Sequence, residues 1–112
     1  MRTEVCRFNV AGVQYYDYQL CVGLKAGSPL KLWWEPSNQF DASAIRIEYN
    51  GVKIGYVPKG PKQDLLHSYR ESKVKVHATL VAYNKTNPSW NMLYVKCEVE
   101  DKTKQQKEVC LS

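Results

Sequence analysis

Residues 45–57 read Ile45-Arg46-Ile47-Glu48-Tyr49-Asn50-Gly51-Val52-Lys53-Ile54-Gly55-Tyr56-Val57. The alternation before the Asn-Gly pair puts Ile45, Ile47 and Tyr49 on one face of a strand and Arg46 and Glu48 on the other. Asn50-Gly51 supplies two residues that tolerate positive φ, as both central positions of a type I′ turn require. The stretch is therefore a predicted β-hairpin, with Val52 to Val57 as its return strand.

On either side of the hairpin the same period recurs. Cys6, Phe8 and Val10 share one face of a strand that Ala11-Gly12 ends, and Leu30, Leu32 and Trp34 share one face of another that Pro36 stops. In this second strand Trp34 is expected in the core and Trp33 outside it. The tyrosine-rich stretch from Gln14 to Gln19 reads as a loop or distorted turn. After the hairpin, Pro61 opens a helix, since the first helical position needs no N–H. Leu65, Leu66 and Tyr69 form its apolar stripe, so the helix is predicted over residues 61–71. Alternation resumes from Val74 to Ala82 and from Leu93 to Val99, with a turn at residues 84–88. The charged tail from Asp101 to Glu108 reads as frayed or as a short edge strand. About six strands with one or two short helices predict a mainly β fold, a small OB-like antiparallel β-barrel, because closure removes exposed edges.

At 112 residues the chain is long enough for one domain with its own core. An apolar fraction of 44% and a charged fraction of 24% are those of a globular protein and argue against disorder. Tyr 8 and Trp 3 outnumber Phe 2, so most rings carry a polar edge suited to half-exposed stacking surfaces. High strand propensity accounts for many of them equally well. The net charge of +5 favours an anionic partner mildly. Between Lys53 and Lys75, six basic residues face only Asp64 and Glu71, so the excess is concentrated there. Of these, Lys59 and Lys62 are the candidates to face phosphates, while Arg70, Lys73 and Lys75 suit a solvated surface.

Cys6, Cys21, Cys97 and Cys110 are scattered, with no C-x-x-C pair, and His67 and His77 lack finger spacing. No structural metal and no cofactor is expected. No hydrophobic leader follows Met1, and no apolar run approaches the ~20 residues of a membrane span. The expectation is a cytoplasmic protein with reduced thiols and no membrane partner.

Three blocks then stand out in order: Ala11-Gly12-Val13-Gln14-Tyr15-Tyr16, the loop from Glu35 to Ile45, and Ile54-Gly55-Tyr56-Val57-Pro58-Lys59. Each alone suits a well-made turn, with Ser37, Asn38 and Asp41 as turn formers. Together, over roughly residues 5 to 100, they resemble the HIRAN family. That resemblance implies an OB-like barrel found in small standalone bacterial or phage proteins and at the N-terminus of fork-remodelling, helicase-like ATPases. In its characterised eukaryotic members the domain grips the 3′ end of single-stranded DNA.

Carried over residue by residue, the resemblance makes Tyr15 and Tyr16 a stacking pair, and Asn38 and Asp41 contacts to a terminal nucleotide. It makes Lys59 a backbone contact, and Trp90 a second stacking aromatic. The chain departs from the pattern at several places. Gln14 replaces an Arg, removing one phosphate-pairing charge. Gln39 replaces Pro, Phe40 replaces Tyr, Ser43 replaces Asn, and Tyr56 stands where DNA-binding members have His. The candidate nucleic-acid-binding set is thus Gln14, Tyr15, Tyr16, Asn38, Phe40, Asp41, Tyr56, Lys59, Lys62 and Trp90.

The leading expectation is a non-enzymatic module for single-stranded DNA in a repair or replication setting, with a helicase or repair protein as its partner. The main alternative is a protein-interaction adaptor using the same aromatic cleft. Lysines around that cleft favour the first; a neutral cleft favours the second. A small hydrolase is a third reading, and it needs a carboxylate dyad or a metal there. No Gly-rich phosphate loop is present, so the chain is not itself a motor ATPase.

Overall fold

The computed structural model describes residues 2–16 and 18–100. The predicted tail from Asp101 to Glu108 lies outside these residues. Six strands form one antiparallel sheet: β1 (Arg2–Asn9), β2 (Pro29–Trp34), β3 (Ile45–Tyr49), β4 (Val52–Tyr56), β5 (Val76–Tyr83) and β6 (Leu93–Glu100), with helix α1 (Pro61–Glu71) between β4 and β5. The spatial order is β1-β6-β5-β2-β3-β4. Single 3₁₀ turns at Val13–Tyr15, Tyr18–Leu20 and Ser89–Asn91 join the rest.

The hairpin forms as its sequence dictates. Tyr49 pairs with Val52, leaving Asn50 and Gly51 as a two-residue loop at φ 48° and 82°. The alternation of β6 is unbroken, with Leu93, Val95, Cys97 and Val99 buried. Ile45, Ile47, Ile54, Leu66 and Leu80 join them in the core at zero exposure. Trp34 packs against this core, while Trp33 is exposed and donates its indole N–H to Glu48 Oε1 at 3.0 Å. No helix among the described residues is long and apolar enough to cross a membrane.

β1 extends back to Arg2, ahead of the alternating Cys6, Phe8 and Val10, because Arg2, Thr3 and Glu4 find partners on β6. One boundary differs from the sequence reading. β5 starts at Val76 rather than Val74, because the Val74 N–H closes helix α1 on the Tyr69 carbonyl at 2.9 Å. Lys73 takes the left-handed conformation this closure needs, at φ 59°, in place of the glycine that usually marks it.

The expected barrel is not closed. β2 meets β5 through only two residue pairs, Pro29↔Thr79 and Leu30↔Ala78, and β1 and β4 remain edges. After β1 the chain makes a single bridge to β4, Ala11↔Tyr56, and at once enters the Val13–Tyr15 turn. A full ladder there would need the extended conformation that this turn abandons.

That bridge consists of two backbone hydrogen bonds, Ala11 N to Tyr56 O at 2.8 Å and Tyr56 N to Ala11 O at 2.9 Å. It is possible because residue 55 is glycine. A Cβ there would lie 2.4 Å from Val10 Cγ1 and 2.5 Å from the Ala11 carbonyl oxygen, and φ is +151°. Backbone strain and overpacking would act together in Gly55→Ala. We expect that substitution to cost about 3 kcal/mol in urea unfolding, whereas Gly27→Ala, where no atom lies within 4 Å of the added methyl, should cost clearly less.

Candidate nucleic-acid interface

The Ala11–Tyr56 bridge sets the Val13–Tyr15 turn beside the end of β4, and the loop between β2 and β3 borders the same space. The result is a cleft of about 720 Å³. Of the ten predicted residues, Tyr15, Tyr16, Asn38, Phe40, Asp41, Tyr56 and Lys59 line it. Gln14 is exposed on the turn but is not among the lining residues. Lys62 and Trp90 line a neighbouring groove that shares Lys59 and Ala11 with the cleft. Lys62 donates to the Arg7 carbonyl there.

The loop is built by its own polar side chains. Asn38 Oδ1 accepts from the N–H groups of Phe40 at 2.9 Å and Asp41 at 3.0 Å. Its amide donates to Glu35 Oε1 at 3.0 Å. Asp41 Oδ1 accepts from the Ser43 N–H at 2.9 Å, and its Oδ2 accepts from Gln63 Nε2 at 3.0 Å. Gln63 is a buried polar residue on α1, and His67 on the same helix bonds the Ser43 carbonyl at 2.8 Å. The helix thus grips the loop at two points. This scaffolding leaves Phe40 85% exposed, and Tyr15, on the Val13–Tyr15 turn, is 77% exposed.

The floor is a cation held between aromatic rings. Lys53 Nζ lies 4.6 Å from the Tyr16 ring centroid and 4.8 Å from that of Tyr56, and donates to the Tyr56 hydroxyl at 2.8 Å. The Tyr16 and Tyr56 rings meet edge to face at 5.8 Å. Tyr56 in turn donates to Glu35 Oε1 at 2.8 Å, and Arg46 pairs with Glu35 Oε2 at 3.1 Å. Burial raises the Tyr16 and Tyr56 hydroxyl pKa values, and for Tyr56 the Glu35 carboxylate adds to this. Both therefore stay protonated phenols at neutral pH.

Sequence reasoning missed Lys53, Gln63 and Arg46 as parts of the site. Lys53 was visible as the first member of the basic stretch. The other two carried no signal, because a polar residue on a strand or helix face reads as solvated surface. Glu35 and Asp41 have separate sets of partners and share no proton, so they do not form a carboxylate dyad.

Burial tends to raise the Glu35 pKa, but the bonds from Asn38 and Tyr56, with Lys53 and Arg46 nearby, outweigh it and hold the carboxyl below its ordinary value. A depressed folded-state pKa contributes stability above the unfolded value, which is lost as pH falls through the folded one. The wild type should therefore lose stability as pH drops below about 4.5, the ordinary glutamate value. In Glu35→Gln, thermal unfolding followed against pH should be less stable at neutral pH and flatter in that acid window. An unchanged slope would show that Glu35 contributes nothing to it.

A model of the HIRAN domain matches residues 3–104. No curated protein matches the chain significantly. Among solved structures, a protein from Lactobacillus plantarum is similar at a TM-score of 0.69 with 18% identity, over 88% of this chain and 95% of that one. The HIRAN domain of human HLTF is similar at 0.64 with 19% identity, over 90% of this chain and 80% of that one. Identities this low speak for the fold alone. The family model spans nearly the whole chain, including all three of the ordered blocks that build the cleft, and the chain therefore belongs to the HIRAN domain family.

Proposed function

We propose that this chain is a non-enzymatic module that binds single-stranded DNA, taking a 3′ end into the cleft, in a repair or replication setting. The observation that supports this best is the meeting of exposed rings and cations in one concave space: Tyr15 and Phe40 with Lys53 and Lys59. A base stacked on such a ring contributes ~1–3 kcal/mol, whatever its sequence. Lys59 is the cation available to a phosphate, since Lys53 is already engaged by Tyr16 and Tyr56. Each Asp41 oxygen accepts one hydrogen bond and keeps a lone pair. A free 3′ hydroxyl can donate to it, whereas a 3′ phosphate would be repelled.

The protein-interaction adaptor draws on one specific observation. Lys53 and Lys59 are matched by Glu35 and Asp41, so the lining is formally neutral. Arg46, behind the lining, is shared by Glu35 and Glu48 and adds no net charge, but the adjoining groove adds Lys62 with no carboxylate in its lining. We therefore favour the nucleic acid, with stacking rather than charge as its main source of affinity.

Fluorescence anisotropy with short single strands tests this. The free 3′ hydroxyl strand should bind more tightly than its 3′-phosphorylated counterpart, and affinity should fall with salt along a shallow slope of one or two phosphate contacts. Tyr15→Ala should weaken binding about tenfold, in keeping with one lost stack. Asp41→Asn should erase the difference between the two ends. Absent binding to both strands at low salt would leave the adaptor as the better reading.

A further inference from the structure

Cys6 on β1 and Cys97 on β6 are direct partners across the antiparallel ladder. Phe8↔Val95 pair two residues further along, and both are buried in the core. With a period of two, the cysteine pair therefore shares that inward face. Cys97 is fully buried and Cys6 half-buried, so one sulfur is reachable and the other is shielded behind it. Opposed residues in such a ladder hold their Cα atoms about 4.5–5.5 Å apart, within the range a disulfide spans. The ladder is also irregular between Glu4 and Cys6, where Val5 is an extra residue. Such a bulge lets β1 bend locally and bring the sulfurs into bonding position.

The two thiols already interact. The hydrogen bond from Cys97 lowers the Cys6 pKa to about 7 against the opposing effect of burial, and the nearby Lys62 ammonium adds to the lowering. That bond and burial push the Cys97 thiol upward. Lys62 is held on this side of the strand by its bond to the carbonyl of Arg7, next to Cys6.

We propose that Cys6 and Cys97 are a redox modification site, a cross-strand dithiol that a low-molecular-weight disulfide converts into an intramolecular disulfide. The Cys6 thiolate attacks one sulfur of the reagent, its S–S bond breaks, and the first thiol leaves. Cys97 then attacks the Cys6 sulfur of the mixed disulfide and releases the second thiol, which carries away the Cys97 proton. Two protein thiols are oxidised and one reagent disulfide is reduced to two thiols. The product staples the edge strand β1 to β6 and closes a loop of some ninety residues, long enough to restrict the unfolded chain strongly.

The test is incubation with oxidised glutathione near neutral pH, followed by alkylation of remaining thiols and peptide mapping. Two of the four thiols should be lost, the intact mass should fall by two hydrogens, and a Cys6–Cys97 linked peptide should be found that disappears on reduction. The melting temperature should rise on the order of 10 °C. The Cys21→Ser/Cys110→Ser double variant should behave identically, and Cys6→Ser should form no internal disulfide. The proposal is overturned if the double variant keeps both thiols open to alkylation after treatment, or if Cys6 in the wild type is found linked to Cys21 or Cys110. Should Cys6→Ser fail to fold, the double variant decides the matter alone.

Discussion

The two hydrogen bonds between Ala11 and Tyr56 govern this structure more than their number suggests. Each contributes only about 1 kcal/mol net, yet together they join the two edges of an otherwise open sheet. They fix the Val13–Tyr15 turn against the return strand of the hairpin, so that rings from residues 15 and 16 border the same space as the loop from Glu35. Without the bridge, the aromatic pair and the loop would belong to opposite ends of the sheet. The missing Cβ at Gly55 is its precondition, since any side chain there would occupy the positions of Val10 Cγ1 and the Ala11 oxygen. Gly55 in the Gly-Tyr-Val segment is thus a packing requirement before it is a recognition signal.

Helix α1 supplies the second constraint. Its buried Leu66 anchors it to the core, and from that anchor Gln63 and His67 reach the loop at Asp41 and Ser43. A ten-residue loop held only at its ends would sample many conformations, and ordering it on binding would cost affinity. Here the loop is tied internally by Asn38 and externally by the helix. Phe40 projects from a supported backbone even though its own side chain meets solvent.

The parts of this arrangement that were legible in the sequence are those set by local rules. Asn50-Gly51 specified the hairpin, Pro61 marked the helix start, and period-two alternation located the strands and separated Trp34 from Trp33. Pairing across distance was not legible in the same way. Nothing local says that β2 would meet β5 over only two residue pairs, or that one bridge would stand where a barrel ladder was expected. The start of β5 was misplaced because Lys73 performs a glycine's role at the helix end. Most of the cleft was found through ordered motifs rather than chemistry. Lys53 and Gln63 escaped because each acts through a partner remote in sequence, respectively Tyr16 and Asp41.

The polar residues that looked most like ligand contacts turn out to do structural work as well. Asn38 uses both ends of its amide within the loop, and both Asp41 oxygens already hold a donor. A carboxylate fixed in this way, with spare lone pairs and its pKa held low by Gln63 and the Ser43 N–H, is a rigid acceptor of constant charge at neutral pH. In the proposed function, such an acceptor discriminates a hydroxyl from a phosphate without rearranging. In the proposed binding, affinity comes mainly from groups not already spent on the scaffold: the rings of Tyr15 and Phe40 and the ammonium of Lys59. The substitution of Phe for Tyr at position 40 removes a hydroxyl but keeps the stacking face. The replacement of Arg by Gln at position 14 falls on a residue outside the cleft lining. These two departures from the family pattern therefore spare the exposed rings on which the proposed binding depends.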